Sequence, residues 1–358
     1  MSLKRYLTTL LVAALVACAS AHPNRYTRKQ AQASLTRLET PGLVIGEFTL
    51  TKVVDGDTVR VDGLDSSLRL LGLDTEETFK HDTERRAFDA GWEQYKKEVR
   101  GTSPRPVKFA TPMGMEAKDW AEKFFAGTDK VRIERDDAKQ IRDRYNRYLA
   151  YVFVQKNGVW LNYNVEAVRA GMAPYFPKYG RSRRFHDDFL KAEAEARAAK
   201  RGIWDPTKMA YPDYDEREAW WTARGDFVAA FEKEAEGKPN YMSMDDFDAT
   251  SRLEQMVGKE VVVLATISDV YIGEKGPTRV TLSHGQHADF PLIFFDRDVF
   301  VQSGIGEYKG EWVIATGTPS VYENKHTHKK QVQIVIDRAS QIRLSDVPGL
   351  KRPTPTTP

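Results

Sequence analysis

The reading of this chain turns on "LRLLGLDTEET", residues 68–78. Leu68, Leu70, Leu71 and Leu73 mark a buried strand, yet Arg69 sits inside the run and Asp74, Glu76 and Glu77 crowd its end. Isolated charges are costly to bury, so a strand that carries them belongs to a site with its own counter-charges. Just upstream, "VVDGDTVRV" (53–61) sets Val59 and Val61 in alternation with Arg60, after an Asp-Gly-Asp punctuation that favours a tight turn. With the β-rich run from Val44, these stretches predict a compact antiparallel meander. Asp57 and Asp74 both fall close to strand ends in it, where two carboxylates can share one hard cation through oxygen ligands.

"DRYNRYLAYVFV" (143–154) supplies a further strand with arginines at its mouth. In order and residue type the three stretches resemble the signature segments of the staphylococcal nuclease family. The similarity continues through "NVEAVRAGMA" and a long polar helix to "RGIW", covering about residues 43–205. It implies a five-stranded barrel of the oligonucleotide-binding (OB) type carrying three helices, and calcium-dependent cleavage of DNA and RNA to 3′-phosphate products. Residue by residue, it implies Ca2+ on Asp57, Asp74 and the carbonyl of Thr75, Glu77 as general base, and Arg69 and Arg147 as the phosphate-binding pair. Substrate contacts fall at Arg144, Tyr145 and Tyr179. The chemistry agrees: charge gathers on the equatorial oxygens of the transition state, and two guanidiniums with a divalent ion stabilise it.

Two positions depart from the family pattern. Glu76 stands where proline is usual, and adds a charge that either raises the pKa of Glu77 or joins the metal shell. Asn146 stands where glycine is common, a mild change because asparagine tolerates positive φ. A catalytically inactive nucleic-acid-binding or scaffold protein is the rival reading, and retention of Asp57, Arg69, Asp74, Glu77 and Arg147 favours the enzyme.

Around this region, 358 residues with 41% hydrophobic and 29% charged side chains suit two ordinary domains and exclude a multi-span membrane protein. The net charge of +3 permits an anionic partner without requiring one. Residues 1–21 read as a lipoprotein-type signal peptide: Lys4 and Arg5 precede a short apolar run ending in "LVAC", whose Cys18, the sole cysteine, is the expected lipidation site and membrane anchor. Cleavage after Ala19-Ser20-Ala21 would instead release a secreted or periplasmic protein. Residues 22–42 are a flexible tether.

The connection from Phe79 to Pro112 interleaves eight basic residues with Trp92 and Tyr95, which suits either a single-strand platform over the cleft or a solvated amphipathic helix. Residues 206–251 read as a helical connector whose Trp220 and Trp221 serve packing. From 252 to 345, five strand-like runs with a helical turn between the third and fourth predict a second OB-fold-like barrel. Its "YENKHTHKK" loop (322–330) offers Lys325, Lys329 and Lys330 to nucleic acid, and its two histidines are too few for a metal site. Residues 346–358 form a proline-rich tail expected to be disordered. The class is α+β, mainly β.

Overall fold

A computed structural model describes residues 42–143, 145–283, 290–325 and 327–350. The first unit runs β1 (Val44–Asp55), β2 (Thr58–Val61), β3 (Leu68–Leu70), α1 (Asp82–Asp89), α2 (Trp92–Arg100), α3 (Pro112–Phe125), β4 (Lys130–Glu134), β5 (Tyr148–Lys156), β6 (Val159–Asn162), α4 (Tyr163–Arg169) and α5 (His186–Ala198). β1 pairs antiparallel with β2 and β4, β2 with β3, and β4 with β5. The parallel pairing of β3 with β5 then closes five strands into a barrel. Strand periodicity explains the odd arginine in the leucine run. Leu68 and Leu70 are buried in the barrel core, and Arg69 between them projects from the opposite face. The tight turn before β5 places Asn146 at φ 65°, as its residue type allows.

The long insertion between β3 and β4 forms α1 and α2. Of the two readings of the insertion, its aromatic residues follow the amphipathic helix and not the platform: Tyr95 is buried, Phe88, Trp92 and Phe109 pack around it, and Phe109 packs against Tyr211. The apolar area of these rings is worth more in a core than on a wet surface.

The connector supplies α6 (Tyr214–Ala235), β7 (Tyr241–Ser243) and α7 (Ala249–Gln255), with Trp221, Val228 and Phe231 buried. The second unit contains β8 (Val261–Tyr271), β9 (Thr278–Leu282), β10 (Phe290–Phe294), α8 (Arg297–Ser303), β11 (Trp312–Gly317), β12 (Pro319–Glu323), β13 (Lys330–Val335) and β14 (Ile342–Leu344). β11 and β12 are two arms of one strand bent at Thr318 and Pro319. The first pairs with β8, the second with β13, and β13 runs parallel to β10. With β8–β9 and β9–β10 antiparallel, the pairing order repeats that of the first barrel. Its extent is wider than the sequence reading of 252–345: β7 already pairs with β8, and Val347, expected in the tail, is buried in the second core.

One buried carboxylate joins the units. Glu311, with no exposed side chain, accepts hydrogen bonds from Arg105 of the insertion and from Arg224 and Trp220 of α6. Beside it the carbonyl of Lys178 accepts from Arg224 Nε at 3.1 Å and Trp312 Nε1 at 3.2 Å. Among the described residues, no helix is long and apolar enough to cross a membrane.

Candidate active site

The open end of the first barrel, the insertion, the connector and the second barrel enclose a cleft of about 1060 Å³. Asp57, Arg69, Asp74, Thr75, Glu77 and Arg147 all line it. Distant segments reach this wall through the barrel topology, because the loop after β1, strand β3 and the start of β5 lie side by side in the sheet. Gly56 lets the Asp-Gly-Asp turn press on the loop after β3, since a Cβ there would sit 2.5 Å from the Thr75 methyl.

Asp57 and Asp74 are nearly buried, and both pair with the guanidinium of Arg69, which also donates to the Leu73 carbonyl at 3.3 Å. Asp57 Oδ2 accepts the Thr75 amide at 3.3 Å. Burial pushes the Asp57 carboxyl up, but the Arg69 charge, with Lys108 behind it, outweighs this and holds it well below the ordinary carboxylate range. Burial and then the Asp57 charge raise neighbouring Asp55 to about 7. Two carboxylates that converge on one point could offer oxygen to a hard divalent ion such as calcium in the place where the Arg69 guanidinium meets them. Among the described residues there is no cluster of three or more acidic, histidine or cysteine ligands.

Glu77 is half-buried at the cleft surface and is held by its backbone. Its carbonyl accepts the Thr111 amide at 3.0 Å, and its amide donates to the Tyr211 hydroxyl at 3.4 Å. Its carboxylate lies between two ammonium groups, Lys80 at 2.8 Å and Lys108 at 4.0 Å. Arg147 is oriented by two bonds to Asp143, at 2.7 and 2.8 Å. Tyr145 and Tyr179 are exposed on the cleft wall. Arg144 and Cys18 lie outside the described residues. Lys325 and Lys329 sit on the exposed turn between β12 and β13, Lys330 opens β13, and none of the three lines the cleft.

Glu76 is taken up by the connector. It is buried and accepts the Thr111 hydroxyl, the Tyr211 amide at 2.6 Å and the Tyr214 hydroxyl at 2.7 Å. Burial raises its carboxyl to about 7. It anchors the loop after β3 to the connector.

Lys108 is the residue that sequence reasoning passed over. Its Nζ lies 2.5 Å from Asp74 Oδ1 as well as 4.0 Å from Glu77. A signal was available: Arg105 and Lys108 are the cations of the insertion with no acidic residue within four positions, and both find carboxylates far away in sequence, Glu311 and Asp74.

The sequence pattern described as staphylococcal nuclease homologue matches residues 67–206. Thermonuclease of Staphylococcus hyicus is 32% identical over 162 residues, which span 44% of this chain and 75% of that protein. This chain belongs to the staphylococcal nuclease family. Other relatives of this staphylococcal nuclease homologue include an uncharacterised protein of Methanocaldococcus jannaschii, 33% identical over 158 residues (44% of this chain, 70% of that one). Endonuclease YncB of Bacillus subtilis is 26% identical over 185 residues, 51% of this chain and 72% of its own.

Proposed function

We propose that this member of the staphylococcal nuclease family is a calcium-dependent, extracytoplasmic nuclease that hydrolyses phosphodiester bonds of DNA and RNA, leaving 3′-phosphates. The observation that carries the reading is the meeting, on one cleft wall, of a nearly buried carboxylate pair, an accessible third carboxylate and two arginines. Asp57, Asp74 and the Thr75 carbonyl would hold the ion, whose charge, when bound, polarises the phosphate oxygens. Glu77, with both backbone groups clamped, orients a water in line with phosphorus and takes its proton. Arg69 and Arg147 offset the charge that gathers on the equatorial oxygens, Arg147 being aimed by Asp143. Lys80 and Lys108 limit the directions in which Glu77 can turn.

The basic start and short apolar run before Cys18 support export with a lipid anchor. Calcium sites outside cells are commonly weak, about 10⁻⁴ to 10⁻³ M, and a site with two carboxylates suits that range. Incubating the purified mature chain with single-stranded DNA and with RNA, in calcium and then in chelator, tests the reading. Cleavage in calcium, its loss in chelator and 3′-phosphate ends are expected. Binding without cleavage in calcium would turn the assignment to a scaffold. Cys18→Ser is expected to move the protein out of the membrane fraction, and an unchanged soluble distribution would favour cleavage after Ala21.

A further inference from the structure

The cations that line the cleft are almost all spoken for. Arg69, Lys80, Arg105, Lys108, Arg142, Arg147, Arg181, Arg183, Arg217 and Arg224 each have a carboxylate within ion-pair distance. Among the described residues that line it, Lys178 is the exception. Its Nζ stands 4.4 Å from the Trp220 ring and 5.7 Å from that of Tyr179. The acids whose charge it feels, Asp74 and Glu311, are already taken, the first by Arg69 and Lys108, the second by Arg105 and Arg224.

This lysine is also held in place. Its carbonyl accepts one hydrogen bond from the connector helix and one from the second barrel. Gly225 allows the helix to approach, since a Cβ there would come within 2.9 Å of the Pro177 carbonyl. A half-buried ammonium on a fixed backbone with no acid in reach is costly unless an anion arrives from outside. Burial, then the charge of Arg224, lowers its amine to about 7, and a bound anion would restore the full charge.

We propose that Lys178 binds a backbone phosphate of the substrate strand flanking the scissile bond, as a second phosphate subsite at the seam between the nuclease barrel and the C-terminal barrel. The inference rests on the nuclease reading above. A cation over an aromatic ring beside the exposed Tyr179 suits a single strand, whose phosphates and bases alternate. The subsite is distinct from the metal pair and engages substrates long enough to cross the seam.

Anisotropy titrations of the full chain in chelator, with labelled dinucleotide and 12-mer single strands at several salt concentrations, test this. Lys178→Met is expected to weaken 12-mer binding several-fold and to make the log-log salt slope less negative by about 0.7. Dinucleotide binding should stay unchanged, and Lys178→Arg should restore both affinity and slope. In the unsubstituted protein, the 12-mer and not the dinucleotide or inorganic phosphate should protect Lys178 from acetylation, read by mass spectrometry. An unchanged salt slope in Lys178→Met, or equal acetylation with and without the 12-mer, overturns the subsite. Cleavage in calcium by the unsubstituted chain keeps the nuclease reading separate: it can stand while the subsite fails.

Discussion

Glu77 and Lys108 concentrate the chemistry of the cleft in two side chains. Glu77→Gln keeps the shape, the clamped backbone and the Lys80 contact while removing the proposed base. Turnover should fall about 10² to 10⁴-fold with oligonucleotide affinity in chelator little changed. Near-normal turnover would take Glu77 out of the mechanism. Lys108 is a tethered cation resting on one of the carboxylates proposed to hold calcium, so it competes with the ion for Asp74. Lys108→Met should bind a luminescent trivalent probe such as terbium roughly tenfold more tightly, a readout independent of cleavage. Unaltered affinity would mean that the ammonium moves aside at no cost. The residues of the site were legible where charge interrupts an apolar strand, as at Arg69. They were not legible where a cation sits in a loop and its partner is chosen by folding. Glu76 shows the same limit, since the donors that capture it, Tyr211 and Tyr214, follow it by more than a hundred positions.

At the scale of elements, the first turn of α3 serves as the mount of Glu77. Thr111 caps the helix by accepting the Gly114 amide at 3.2 Å, Pro112 fills the first turn, and Gly114 lies flat against the Glu77 main chain. A Cβ at Gly114 would stand 2.1 Å from the Glu77 carbonyl oxygen, a backbone atom that cannot swing away. Gly114→Ala should therefore cost about 1–3 kcal/mol in stability, measured by urea unfolding. It should also lower turnover well below that of the folded fraction, because the proposed base is displaced with its backbone. Activity in proportion to the folded fraction would show that the mount tolerates movement. Strand alternation made both barrels readable, down to the helix between the third and fourth strands of the second. The insertion left two readings open, a platform and an amphipathic helix, because its basic and aromatic residues have the composition of a binding surface. Only the third dimension shows that the rings of Trp92 and Tyr95 face a core while Arg105 and Lys108 leave it.

For the molecule as a whole, the expected boundary at residue 205 cuts through working contacts. A chain ending there lacks Tyr211 and Tyr214, strips Glu76 of two partners and uncovers the cluster around Tyr95 and Phe109. It should unfold at lower denaturant than the full chain and cleave poorly; equal stability and activity would make the nuclease unit autonomous. Glu311→Ala leaves Arg224 buried without its acid and should cost about 3–5 kcal/mol, read as a lower unfolding midpoint. Acid–base linkage adds a check on Lys178. Burial lowers its amine from the ordinary 10.5 to about 7 in the folded chain, so the unfolded chain binds more protons between those values and stability rises with pH across that window. The groups acting on it are Arg224, Lys108, Asp74 and Glu311. Lys178→Met should remove the rise, seen by comparing unfolding midpoints at about pH 7 and about pH 10. The three-way hold on Glu311 also bears on how such a chain diverges. Arg105, Arg224 and Trp220 share one acid, so each is tolerated only while that acid is present. Across descendants these four positions should change as a block, and a lineage that sheds the second barrel should also carry neutral side chains at 105 and 224.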